Sequence, residues 1–377
     1  MIARRLPRRS TPLALFALIA FGIVATACTG VASPEGWASP VASDDLIFAT
    51  HGDDLFALEP GSLVAQWAFP SDEIDEDIEA LYGTPATLGD TLFVPTYKGT
   101  LYAIDASSFG QLLWRFETDG PLIGGVAVAE GAIYFGSDDG NVYALDPETG
   151  RSIWRAPFET GDGVWSTPVV VGDVVYVTSL DQNLYALDAA TGAELWSFRT
   201  GAGVASDAVV NVEAGLVYVG GFDSRLRAID IETHKERWSL KADNWFWTRP
   251  LVADGVLFAG NLDGNVYAVD ALTGDPAWAA PFPTEGPVRS APVIAGGTLI
   301  VVDRDGNVYG IDPSNGIATV AFPLALESDV LADPLVLTVP DMNDGDEVVV
   351  LVTTDGDVVQ IDAATVARVG VASRLGR

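Results

Sequence analysis

Trp165–Phe198 reads WSTPVVVGDVVYVTSLDQNLYALDAATGAELWSF. Apolar runs rich in Val, Tyr and Leu are separated here by short polar breaks at Gly172-Asp173, Leu180-Asp181-Gln182 and Ala189-Ala190-Thr191-Gly192. Short runs of β-branched and aromatic residues bounded by Gly and Asp predict strands joined by tight hairpins. This one stretch therefore predicts four antiparallel strands, the last carrying Trp196.

Its third run recurs along the chain. Asn141–Gly150 (NVYALDPETG), Asn265–Gly274 (NVYAVDALTG) and Asn307–Gly316 (NVYGIDPSNG) repeat Asn183–Gly192. Weaker copies begin at Leu55 (LFALEPGS), Leu101 (LYAIDASS), Leu226 (LRAIDIET) and Val358 (VVQIDAAT). The acids closing the copies are Glu59, Asp105, Asp146, Asp188, Asp230, Asp270, Asp312 and Asp362, with spacings of 46, 41, 42, 42, 40, 42 and 50. A period near forty is the length of a four-stranded propeller blade. Both end repeats carry four runs: Trp37–Glu59 aligns to the stretch from Trp165 with one residue fewer in the turn after the second run, and ADPLVLTVP, EVVVLVTT, DVVQID and ATVARVG supply the final four strands. The expected fold is all-β, an eight-bladed β-propeller over residues 37–370 with a tail at 371–377, closing without strand exchange between its termini. Trp67, Trp114, Trp154, Trp196, Trp238 and Trp278 are placed on fourth strands, sealing each blade against a glycine-containing turn of its neighbour.

The LYALDxxTGxxxW phrase resembles the PQQ-like β-propeller repeat family. That resemblance implies the propeller fold and two kinds of function: quinoprotein dehydrogenases, which hold pyrroloquinoline quinone and calcium, and non-catalytic lipoproteins that recruit protein partners. The dehydrogenases are similar to one another in having an adjacent cysteine pair over the cofactor and long inserted loops. This chain has a single cysteine.

That cysteine is Cys28. It follows four arginines (Arg4, Arg5, Arg8, Arg9), an apolar run from Leu13 to Val24, and Ala25-Thr26-Ala27. The pattern predicts a signal peptide at 1–27, because its apolar run is shorter than the roughly 20 residues of a spanning helix. The cysteine resembles a lipobox, which implies a lipidated linker at 28–36 and a chain anchored to the membrane through Cys28 outside the cytoplasm.

The formal net charge is −32, and loss of the leader's arginines makes it more negative. A field of that sign repels nucleic-acid phosphates, so no nucleic-acid partner is expected.

In a propeller, the loop before each innermost strand opens onto the central tunnel. One position per blade, three residues before the recurrent Pro, gives Trp37, Tyr82, Ile123, Trp165, Ala205, Trp247, Arg289 and Leu331. The next position is small or hydroxylated: Ala38, Gly83, Gly124, Ser166, Ser206, Thr248, Ser290 and Ala332. Trp245 adds an aromatic, and Arg249 joins Arg289 as a rare cation. Two readings of this ring stand side by side: it binds an apolar or aromatic ligand or a partner segment at the tunnel mouth, or it fills the top of the tunnel.

No catalytic residues suggest themselves. His51 and His234 lie in different repeats at turn-like positions, and the chain has no phosphate-binding loop or nucleophile elbow. The run Asp341–Glu347, DMNDGDE, looks like the calcium loops of integrin-type propeller repeats but is about two residues short of them; a hairpin turn is expected there. Ser71–Ala80 is expected to be a solvated loop. No cofactor or metal is expected. The function expected is a non-catalytic binding or scaffold protein, the alternatives being a quinoprotein oxidoreductase and a ligand-capture or sensor protein.

Overall fold

In the computed structural model, residues 36–43, 45–70, 78–129, 131–338 and 347–376 are described. They form eight sheets, each built from consecutive strands. The fourth repeat shows the pattern: Val169–Val171, Val174–Thr178, Asn183–Asp188 and Glu194–Arg199, every neighbouring pair antiparallel. The blades are numbered here in chain order. Blade 1 spans Val41–Ala42 to Ala65–Phe69, and blade 8 spans Leu335–Thr338 to Ala367–Arg374. The fold is the eight-bladed propeller that the repeats predict, and neither terminal blade borrows a strand from the other.

Alternation explains why the second strands read as unbroken apolar runs. Successive side chains point to opposite faces of a strand, and in a propeller both faces of a blade meet a neighbour. Tyr134 enters the core between blades 3 and 4, whereas Ile133 enters the core between blades 2 and 3. Val175 and Tyr176 divide the same way between the next two seams. The core is therefore eight separate seams. The last joins Val350, Val352 and Leu375 of blade 8 to Ile47, Leu58 and Leu63 of blade 1.

Two sequence expectations need correction. The outer strand of blades 3 and 6 is a two-residue piece, Phe158–Glu159 and Phe282–Pro283, so Trp154 and Trp278 precede it instead of lying on it. In blade 7 the outer strand is split into Ile317–Ala318 and Leu324–Ala325. Pro157, Pro281 and Pro323 sit at these breaks, and proline has no N–H to give to a ladder. The propeller also outruns its expected end at 370: the final strand continues to Arg374, and Leu375 is buried in the closing seam. The signal peptide, Cys28 and most of both acidic runs, 71–77 and 341–346, lie outside the described residues.

Candidate functional site: the tunnel mouth

All eight positions of the predicted ring, Trp37 to Leu331, line one depression at the tunnel mouth. Each side chain projects from the loop entering an innermost strand. The small residue that follows is buried between blades. Ser166, Ser206 and Ser290 donate to the carbonyls of Thr178, Gly220 and Val302 at 2.9, 3.0 and 2.9 Å, pinning each loop to its own second strand. A Cβ on Gly83 would come within 2.2 Å of the Gly124 carbonyl, so size alone restricts that position.

The large side chains meet one another. Arg289 lies over both Trp37 and Trp247, its Cζ 4.3 and 4.9 Å from their ring centres. Tyr82 packs edge-on against Trp37 at 4.0 Å, and Trp165 lies 6.4 Å from Trp247. The Trp165 indole N–H donates to Asp138 Oδ1 at 2.7 Å. Trp245 is not part of this lining. It stands outside the depression, 41% exposed, stacked at 4.6 Å on Phe222, which in turn stacks on Trp247 at 5.4 Å. One aromatic run thus leads from the open face, through Trp245, Phe222 and Trp247, to the tunnel axis.

A second ring stands two residues further along each loop, and of it sequence reading singled out only Arg249. Ser39, Thr84, Gly125, Thr167, Asp207, Arg249 and Asp333 of it line the same depression, and Ala291 holds the equivalent position in blade 7. Here a side chain of one blade accepts a backbone N–H from the blade before it. Gly125 N donates to Thr167 Oγ1 (3.1 Å), Thr167 N to Asp207 Oδ1 (2.6 Å) and Ala291 N to Asp333 Oδ1 (2.7 Å). Asp333 N donates to Ser39 Oγ at 2.9 Å across the closing seam. The available signal was a column of Ser, Thr and Asp just before the recurrent proline.

Electrostatics of this ring are uneven. Desolvation pushes the Asp207 carboxyl up to about 6, with Asp333 adding to the effect and Arg249 opposing it. Asp333 is also raised, again chiefly by desolvation. Desolvation and Arg304 lower the Arg289 value.

The depression holds about 100 Å³. Cofactor and drug-sized sites need roughly 300–1,000 Å³. At that size the mouth does not enclose the quinone implied by part of the family. Among the described residues no cluster of His, Cys, Asp or Glu is arranged to hold a metal ion. His51 ends the second strand of blade 1 and is not in a turn, whereas His234 occupies a turn and stacks on Trp196 at 4.9 Å.

Comparison with known proteins fits this architecture. The family model described as outer membrane protein assembly factor BamB matches residues 65–140, 108–241 and 181–369, and the chain belongs to that PQQ-like propeller family. Among curated proteins, BamB of Pseudomonas aeruginosa is 41% identical over 66 residues, covering 18% of this chain and 17% of that protein. The serine/threonine-protein kinase AfsK of Streptomyces griseus is 32% identical over 97 residues, 26% of this chain and 12% of the kinase. The dehydrogenase subunit of the quinone alcohol dehydrogenase of Gluconobacter oxydans is 34% identical over 83 residues, 19% and 11% of the two chains. Each match spans only a small part of the relative's length. Among solved structures, BamB from Moraxella catarrhalis superposes with a TM-score of 0.68 at 18% identity, covering 86% of this chain and 95% of that one. The computationally designed protein Ika8 gives 0.72 at 15%, covering 86% and 96%. These likenesses are of fold.

Proposed function

We propose that this protein is an extracytoplasmic, lipid-anchored, non-catalytic propeller that docks a segment of a partner protein on its tunnel-mouth face. The observation that carries the reading is the aromatic run from Trp245 through Phe222 to Trp247 and Trp165. Rigid, amphipathic rings give contact area at small entropic cost, which is why they concentrate at protein interfaces. A cavity of about 100 Å³ favours a segment laid across the mouth over a small molecule enclosed within it. Membership of a family described by an assembly factor agrees with a partner-binding role.

The anchoring part rests on the leader and Cys28. Cys28→Ser should move the exported protein from the membrane fraction to the soluble one. The docking part is tested by co-purifying native partners with the anchored protein. Trp245→Ala, at an exposed site, should leave the melting temperature nearly unchanged and weaken capture about tenfold or more, as a central aromatic anchor does. Undiminished capture by Trp245→Ala and Trp247→Ala would remove the mouth face from consideration. The quinoprotein alternative is tested by adding the quinone with calcium; saturable quinone absorbance and dye reduction would favour it.

A further inference from the structure

In a chain where Asp and Glu outnumber Lys and Arg by 52 to 20, most arginines of the propeller have acceptors at hand. Arg227 pairs with Asp223 and Glu236, Arg237 with Asp230, and Arg304 with Asp329. The two at the mouth do not. No hydrogen bond or ion pair joins the guanidinium of Arg249 or Arg289 to another described residue. Arg289 is held instead by Trp37 and Trp247, whose attraction acts on the guanidinium as a cation. Such contacts fix the group in place while leaving its planar fork of N–H donors uncommitted. Arg249 is exposed within the same depression, near Asp207 and Asp333 but bonded to neither.

We infer that Arg289 and Arg249 form a receptor for a carboxylate, supplied by the partner segment that docks on the aromatic run. The inference rests on the docking reading above and names the group recognised there. Three features support it. The Arg289 donors are preorganised by stacking on Trp37 and Trp247, so little of that side chain's entropy remains to be lost. Charge-assisted, forked contacts to a carboxylate are the strongest use of a guanidinium. The depression, at about 100 Å³, has the size of one acidic group. Asp207 and Asp333 are already engaged by the backbone N–H groups of Thr167 and Ala291, so they balance Arg249 without occupying its donors. The negative field of the whole molecule opposes an anion at long range, but at physiological salt it is screened beyond about 8 Å.

The carboxylate has two sources, a chain terminus or an Asp or Glu side chain. Calorimetric titration of the full-length exported protein with three probes separates them: Ac-Gly-Phe-OH, Ac-Gly-Phe-NH2 and Ac-Glu-Phe-NH2. The free acid should bind about tenfold or more tightly than its amide, a difference of about 1.4 kcal/mol. Equal binding of the first and third probes assigns the site to any carboxylate, and preference for the first assigns it to a chain end; either result supports the receptor. Arg289→Gln and Arg249→Gln should each remove the acid-over-amide preference, whereas Arg289→Lys, which keeps the charge but not the fork, should restore part of it. Amide binding as tight as acid binding, a preference untouched by the glutamine variants, or no heat from either acid up to ~10 mM would each overturn the inference. If partner capture is lost in Trp245→Ala but kept in both glutamine variants, the carboxylate receptor falls and the docking face stands.

Discussion

At the scale of single residues, the seams depend on one recurring pair, an outer tryptophan and the left-handed turn residue of the next blade. Trp114, Trp154, Trp238 and Trp278 pack over Gly150, Gly192, Gly274 and Gly316, where an added Cβ would lie about 2.6–2.7 Å from the indole. Each indole N–H also donates across the seam, as Trp154 does to the Ala189 carbonyl at 2.9 Å. Blades 7 and 8 lack the tryptophan, and the turns they face carry buried Val366 and Leu63 instead, at φ 50° and 55°. Apolar volume moves from one side of the seam to the other. Gly192→Ala, at φ 73° under the Trp154 ring, should cost about 1–3 kcal/mol from overpacking and backbone strain. Trp154→Ala should cost about 3–5 kcal/mol. Chemical denaturation of the two variants checks both values.

Asp207 gives a second residue-scale prediction. Its carboxyl titrates at about 6 in the folded chain, above its ordinary value of 3.8, because desolvation and Asp333 outweigh Arg249 and the Thr167 amide. Between those values the folded state binds more protons than the unfolded one, so its contribution to stability falls as pH rises through that window. Asp207→Asn should therefore be more stable than the parent by about 1–2 kcal/mol at pH 7.5, with the gap closing by pH 4. Melting curves across that range test the sign. A gap that widens on acidification would mean that the carboxylate is stabilised, not burdened, in the ring.

At the scale of strands, what was legible in the sequence follows from what is local. The second and third strands and their turns are encoded by adjacent residues. Asp188, for example, accepts from the Thr191 amide and hydroxyl three positions on, which holds its carboxyl below the usual range. The phrase that names the fold is this turn together with its strand. The broken outer strands escaped because the tryptophan alignment carried them along, while Pro157 and Pro281 decided the backbone. The mouth positions could be aligned from sequence. Their mutual packing could not, since Arg289 meets Trp37 only after the chain has travelled around the ring. The Asp333–Ser39 clasp was hidden for the same reason. Hydrogen exchange should show the amides of residues 155–156 and 279–280 among the fastest near the outer edges, and those of Val175–Val177 among the slowest. Uniform protection of all eight outer strands would contradict the breaks.

At the scale of the whole molecule, closure comes from side-chain contacts between the first and last blades. The seam combines the Asp333–Ser39 contact, the Gln360 amide donating to the Pro60 carbonyl, and an apolar cluster that includes Leu63 and Leu375. Ending the chain after Gly370 removes half of the last strand along with Leu375. That truncation should lower the melting temperature by several degrees, about what a loss of 2–4 kcal/mol causes in a chain of this size. A truncated protein that melts with the parent would restore 370 as the end of the propeller.

The ring so closed presents a mouth whose shallow depression is reached by one aromatic run, and the account stands on that run being the docking face. Site-specific photo-crosslinking on the anchored protein in its native membrane tests this most directly, with the crosslinker at position 245 and a control at exposed Val212 on the opposite face. The account predicts a discrete crosslinked partner from position 245, absent from position 212 and lost when Trp247→Ala is added. Crosslinking from position 212 alone, or from 245 with no dependence on Trp247, would contradict it.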